Sequence, residues 1–211
     1  MRLQGLAGWL SAALMSVVVP ASAGPVNNFA ATFASPEARE LAQRIQAAAD
    51  HSQRPYAIVD KRNARILVFD AGGRLAGASA VLLGAAPGDR SPPDIAQRAP
   101  ANLLAHERIT PAGRFESEPG HNDKGEAIVW IDYDAAIALH RLRPSPPRER
   151  RAQRLASATP DDNRISLGCV IVPVAFYDGV VAPLLGRRRG VVYVLPESGA
   201  ALALAGADRW D

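Results

Sequence analysis

Cys169 is the one cysteine in the chain, and it stands in Ile165-Ser166-Leu167-Gly168-Cys169-Val170-Ile171. A thiol with its ordinary pKa of about 8.5 is mostly protonated at neutral pH, so a nucleophilic cysteine needs a base. A depressed thiol pKa would show as fast alkylation near neutral pH. Four histidines are available: His51, His106, His121 and His140. His51 falls at the end of an expected helix, where it reads as a cap. His106 and His121 lie in polar stretches. His140 closes the apolar run Ala136-Ile137-Ala138-Leu139, which would hold its ring rigidly beside a sheet, so it is the best placed base. Two readings of Cys169 stand at this level: a small buried apolar residue, or a nucleophile whose neighbour Gly168 lets substrate approach the backbone. One cysteine and four scattered histidines have no zinc spacing, so no metal is expected.

The elements that must position these residues are legible in outline. Met1-Arg2, an uncharged run from Gly5 to Val19, and Ala21-Ser22-Ala23 read as a secretory signal cut after Ala23. Export would put Cys169 where thiols oxidise, and an unpaired cysteine kept there hints at use. Ser35-Pro36-Glu37 opens a helix running to about Asp50, with Leu41, Ile45 and Ala48 on one stripe. Tyr56–Asp60 and Arg65–Phe69 form a hairpin about Lys61-Arg62-Asn63, and a third strand covers Leu75–Leu83. Residues 85–111 make a long loop. Phe115 and Ala127–Tyr133 return to strand character, and Ala136–Leu142 is a strand or a short helix by period alone. Further strands span Ile165–Val172 and Gly190–Leu195, with a proline-started helix over Pro173–Leu185 between them. The division expected is signal peptide 1–23, leader and helix 24–54, one mostly β (α+β) catalytic domain 55–197, and tail 198–211.

Composition sets the outer bounds. Of 211 residues, 48% are hydrophobic and 21% charged, which excludes a disordered chain. Lys+Arg 24 against Asp+Glu 21 gives +3. With 6% aromatics and an exported product, nucleic acid is a poor partner. Charge is concentrated locally: from Arg141 to Arg164 seven arginines face Glu149, Asp161 and Asp162, a proline-broken stretch of +4. It reads either as a solvated loop or as a lid whose guanidiniums meet carboxylates.

Ser166-Leu167-Gly168-Cys169 resembles the [Ser/Thr]-His-Gly-Cys signature of L,D-transpeptidases, the YkuD-type catalytic domain. His140 stands upstream where that family has its catalytic histidine, and Thr110-Pro111-Ala112-Gly113-Arg114-Phe115 looks like its Thr-Pro-x-Gly-x-Phe strand entry. The resemblance runs from about Tyr56 to Pro196. It implies a β-sandwich-like domain acting on peptidoglycan, with Cys169 as nucleophile and His140 as general base. The carbonyl of Arg141 would orient the imidazole. The N–H groups of Leu167, Gly168 and Cys169 would form the oxyanion hole, and Ser166, Arg164 and Arg143 would contact substrate. The implied reaction releases D-alanine from a tetrapeptide stem and passes the acyl group to an amine of a second stem or a lipoprotein. No cofactor is implied. A hydrolase of the same fold, or a degenerate domain that only binds peptidoglycan or a partner, are the alternatives. Three departures stand out. Leu167 replaces a histidine, Ile171 stands where Asn or Arg is usual, and 29 residues separate His140 from Cys169 (169 − 140), longer than usual because of the basic insertion.

Overall fold

The structure, a computed structural model, describes residues 34–99 and 102–198. The expected signal peptide, the leader before Ala34 and the tail from residue 199 onward lie outside the described residues.

Helix α1 (Pro36–Ala48) begins where its sequence says it should. Ser35 Oγ accepts the Ala38 N–H at 3.1 Å, proline occupies the first turn, and Glu37 complements the dipole. Its buried stripe is Ala38, Leu41 and Ile45. Ala48, expected in that stripe, is exposed, because the chain turns away through a left-handed Ala49 (φ 50°) immediately afterward.

α1 lies on strands β1 (Tyr56–Asp60), β2 (Arg65–Phe69) and β10 (Gly190–Val194). Tyr56, Ile58, Leu67, Phe69, Val191 and Tyr193 meet the helix, while Ala57, Val59, Ile66, Val68, Val192 and Val194 point into a second, larger core. Both faces are covered, which is why these strands read as continuous apolar runs and not as alternation. β1 and β2 form the expected hairpin, and β1 pairs in parallel with β10.

β3 (Leu75–Ala80) flanks β2, and β5 (Gly113–His121), β6 (Ala127–Asp132) and β7 (Ile137–Arg141) extend the sheet on the other side. The sequence between 136 and 142, open between strand and helix, is a strand. β5 showed only Phe115 as a signal because Gly113, Pro119 and Gly120 break its pattern. Residues 113–117 pair with β10 and residues 118–121 with β6, so this one strand folds the sheet over on itself. The order is β3-β2-β1-β10-β5-β6-β7-β9, where β9 is Val170–Val172. Leu82, just beyond β3, exchanges two backbone hydrogen bonds with Ile171 of β9 (2.8 and 2.9 Å), so the two ends of the sheet meet. Across the interior, Val129, Ile131, Leu139, Val170 and Val172 pack against the inward residues of β1, β2 and β10. The helical run α3, made of Val174–Phe176, a wide turn Tyr177–Val181 and Ala182–Leu184, adds Tyr177 and Val181 to that core. The mostly β, α+β architecture expected from the sequence is what forms.

Two expected strands are broken. Leu75–Leu83 divides into β3 and β4 (Leu83–Gly84), and Ile165–Val172 divides into β8 (Arg164–Ser166) and β9, with β4 and β8 paired in parallel. The second break is the turn that carries Cys169. The basic insertion contains a short helix, α2 (Arg151–Ala156), docked by Leu155 on Leu82 and Ile171.

The long loop 85–111 holds two single turns, Ile95–Gln97 and Ala105–Glu107, and is tied down from inside. Lys61, 1% exposed, donates from Nζ to Gly88 O, Asp89 Oδ1 (2.7 Å) and Thr110 O (3.0 Å). Replacing Lys61 by Met removes the ammonium and leaves these acceptors facing an apolar chain. The expected loss is about 3 kcal/mol of unfolding free energy, read from urea denaturation.

Candidate active site

The turn between β8 and β9 is shaped by Gly168. Its φ of +137° is a conformation that L side chains rarely adopt, and a Cβ there would lie 2.7 Å from Ile109 O and 2.6 Å from Ile137 Cδ1. Thr110, fully buried, donates from Oγ1 to Gly168 O at 2.8 Å and accepts the Gly84 N–H at 2.9 Å. Ser166 braces the same turn: its hydroxyl donates to Cys169 O at 2.7 Å and accepts the Gly168 N–H at 3.0 Å. The turn is therefore held from two sides before any substrate arrives.

Strand parity then sets the pair. β7 and β9 run parallel with Leu139 beside Val170 and His140 beside Ile171. Leu139 and Val170 point into the main core, so His140, Ile171 and Cys169 share the opposite face. Cys169 sits one residue before Val170, which makes it the diagonal neighbour of His140 across one strand spacing. Cys169 is partly exposed, and its Sγ lies 3.8 Å from Ala136 O.

His140 is 7% exposed, and its Nδ1 lies 2.8 Å from Arg141 O. A carbonyl only accepts, so Nδ1 carries the hydrogen and Nε2 keeps the lone pair. Burial is the main reason that the His140 pKa is pushed down to about 4, with Arg143 and Arg151 adding to the shift; the Arg141 carbonyl and Glu126 act against it. Burial also pushes the Cys169 thiol up, against the opposing influence of the Ala138 N–H, Arg143 and Arg151. At neutral pH the resting pair is a protonated thiol and a neutral imidazole, so fast alkylation near neutral pH is not the expected signature of this cysteine. An imidazole in that state can take the thiol proton as sulfur attacks a carbonyl.

The remaining candidates separate clearly. Arg143 pairs with Glu126 at 2.8 Å beside the histidine. Arg164 points elsewhere: its guanidinium donates to Lys61 O at 3.1 Å and Glu197 Oε1 at 2.8 Å. The Arg141 side chain lies over the Tyr177 ring, 4.8 Å from its centroid, while its carbonyl holds His140. Leu167 is 38% exposed at the lip of the turn. With the Gly168 N–H bonded to Ser166, the Leu167 and Cys169 N–H groups are the ones left on this turn. Ile171, 2% exposed, is the apolar seat of α2, which accounts for the absence of a polar side chain there.

His51 is not a helix cap: α1 ends at Ala48 and is capped by Ala49, and the His51 ring is buried 5.0 Å from that of Tyr56 on the α1 side of the sheet. His106 and His121 are exposed. Sequence reasoning had no role for Lys61 or for the Thr110 side chain. The available signal was that Lys61 is one of two lysines in a chain that otherwise uses arginine, as suits a buried site that takes a compact ammonium. Among the described residues no group of three His, Cys, Asp or Glu is placed to hold a metal ion, and no helix is long and apolar enough to cross a membrane.

No family model matches the sequence, and no curated protein matches it. Solved structures similar to the chain include the catalytic domain of an Enterococcus faecium L,D-transpeptidase (19% identity over 67% of this chain and 97% of that one, TM-score 0.37). The helical cell shape determining protein Pgp2 from Campylobacter jejuni is another (14% identity, 68% and 48% covered, TM-score 0.43). An L,D-transpeptidase from Mycobacterium smegmatis is a third (12% identity, 67% and 58% covered, TM-score 0.38). The chain spans about half the length of two longer structures it matches, 47% of the Ldtfm-avibactam carbamoyl enzyme and 49% of the Enterococcus faecium L,D-transpeptidase C442S mutant.

Proposed function

We propose that the protein is a cysteine-dependent L,D-transpeptidase of peptidoglycan, exported after cleavage at Ala23 and needing no cofactor. The observation that carries the reading is that Cys169, in the turn leading into β9, lies on the same side as His140 of the adjacent parallel strand β7, with the imidazole tautomer set by Arg141 O. Its sequence support is the order of Thr110–Phe115, His140 and Ser166–Cys169.

Sγ attacks the carbonyl of the stem's L-centre to D-alanine bond while its proton passes to His140 Nε2. The S–C bond forms, the C–N bond breaks, and His140 returns the proton to the departing amine of D-alanine. An amine of a second stem or of a lipoprotein then attacks the thioester, restoring the thiol and closing a new amide. The oxyanion is met by the N–H groups of Leu167 and Cys169, where loss of one donor costs about 10²–10³ in rate. Ser166 holds the turn that presents them.

Mass spectrometry of purified tetrapeptide muropeptides after incubation with the mature protein, beside Cys169→Ala, tests this. Cysteine-dependent loss of D-alanine with formation of a cross-linked dimer is the expected result. Loss without dimer would make the protein a hydrolase, and no change, in an assay proven on an active transpeptidase, would make it a binding domain. The pH profile adds a second check. His140 serves as base only when neutral, so kcat/KM should hold as pH falls past the usual histidine range and drop near pH 4. A drop centred near pH 6.5 would contradict the burial of His140 as the controlling influence.

A further inference from the structure

Part of the insertion's charge lines a cleft at the end of β7. Beyond β7, Leu142 N–H bonds Val172 O at 2.7 Å, and the chain then lines an open cleft of about 400 Å³. Arg143, Ser145, Arg150, Arg151 and Gln153 are among its lining residues, and none of the described residues lining it is acidic. Leu142, which lines the cleft, packs together with Cys169 on the cluster of Leu82, Leu155 and Ile171, and the charges of Arg143 and Arg151 lower the pKa of both His140 and Cys169.

The cleft is built and held. Pro144, Pro146 and Pro147 fix its rim. Arg154 donates to Glu149 O and Asp162 O, both at 2.8 Å, and Leu155 seats α2 on Ile171 in the strand that follows Cys169. Arg143 is engaged by Glu126 and Arg151 by Glu149, whereas Arg150 is exposed and makes no ion pair among the described residues. The placement of Arg150 and Arg151 also opposes local preference. Arg150 occupies the N-cap of α2 with φ 49°, and Arg151 follows in the first turn, where helices favour acids.

We infer that this cleft is a carboxylate subsite, in which Arg150 and Arg151 hold a free carboxylate of a peptide whose scissile carbonyl rests at Cys169. Guanidinium groups bind carboxylates in bidentate fashion, Arg150 makes no ion pair among the described residues, and no described residue lining the cleft is acidic, Glu149 holding Arg151 from outside it. The inference rests on the acyl-transfer reading of Cys169 and His140 and adds the charge that the substrate must carry.

The test is calorimetric binding to Cys169→Ala protein, using a tetrapeptide stem with free carboxylates and the same peptide with its carboxylates amidated. The free form should bind about tenfold more tightly, the size of a charge-assisted hydrogen bond. In an Arg150→Gln/Arg151→Gln background the preference should fall to about twofold by the same reckoning, and Arg148→Gln, exposed and outside the cleft, should keep it. Equal binding of the two peptides, a preference that survives the double change, or one lost equally in Arg148→Gln would each overturn the subsite. D-alanine release by protein with Cys169 intact is read in parallel. Release from both peptides alike keeps the acyl-transfer reading and removes the subsite, whereas a binding preference without release keeps the subsite and removes that reading. Arg150→Gln alone, a surface change, serves if the double variant fails to fold.

Discussion

Cys169→Ala is expected to abolish D-alanine release, and His140→Ala to reduce it by about 10²–10⁴, the usual worth of a positioned general base. The structure explains why the second loss should be so large. With burial holding the thiol pKa above its ordinary value, almost no thiolate exists at neutral pH without a base to take the proton. His140 is neutral there and offers Nε2, because Nδ1 is committed to Arg141 O at 2.8 Å. In the proposed mechanism the two residues act on one proton, so their effects should not add. The double variant should lose no more than Cys169→Ala alone. Single-turnover assays on the four proteins, with circular dichroism to confirm folding, measure this. Full activity in His140→Ala would remove the imidazole from the mechanism.

Gly168→Ala is the second large effect, and it acts through geometry alone. The new methyl would stand 2.7 Å from Ile109 O, a backbone atom with little room to move, in a backbone conformation that alanine rarely takes. Strain of this kind costs about 1–3 kcal/mol, and relief requires the turn to shift. Gly168 O is held by Thr110 and Gly168 N by Ser166, so any shift carries Cys169 with it. A displacement of about 1 Å at a reacting atom costs on the order of 10² in rate. Turnover should therefore fall about a hundredfold while most of the unfolding free energy is retained, as urea titration and D-alanine release would read together. Wild-type turnover in Gly168→Ala would mean that this turn does not set the position of the thiol.

Local signals carried much of the fold. The Ser35-Pro36-Glu37 start, the hairpin about Lys61–Asn63 and the apolar runs of β1, β2, β6 and β10 are nearest-neighbour effects of capping, turn chemistry and burial, and all appear where the residues put them. β5 was hidden because its pairing changes partner midway, and its glycines and proline serve that bend at the expense of pattern. The stretch Ile165–Val172 read as one strand because Gly168, its one break signal, is flanked on both sides by apolar residues of strand character. The break comes from Gly168 fitting against Ile109, a contact made across 59 residues (168 − 109).

The site divides along the same line. Its setting in Ser166-Leu167-Gly168-Cys169 made Cys169 the candidate nucleophile, and an apolar run ending in His140 made that histidine the candidate base, both of them local facts. Their shared face depends on the parallel pairing of β7 with β9, which strand composition does not encode. The two burial-driven pKa shifts, the Lys61–Thr110–Gly168 chain of contacts and the docking of α2 on Ile171 likewise exist only once distant segments pack. While the strand at Ile137–Arg141 and the turn that carries Cys169 were left for the fold to decide, sequence by itself determined which groups were present. Tertiary structure alone decided their spacing, tautomer and protonation, since these follow from desolvation and hydrogen bonds between residues far apart in the chain.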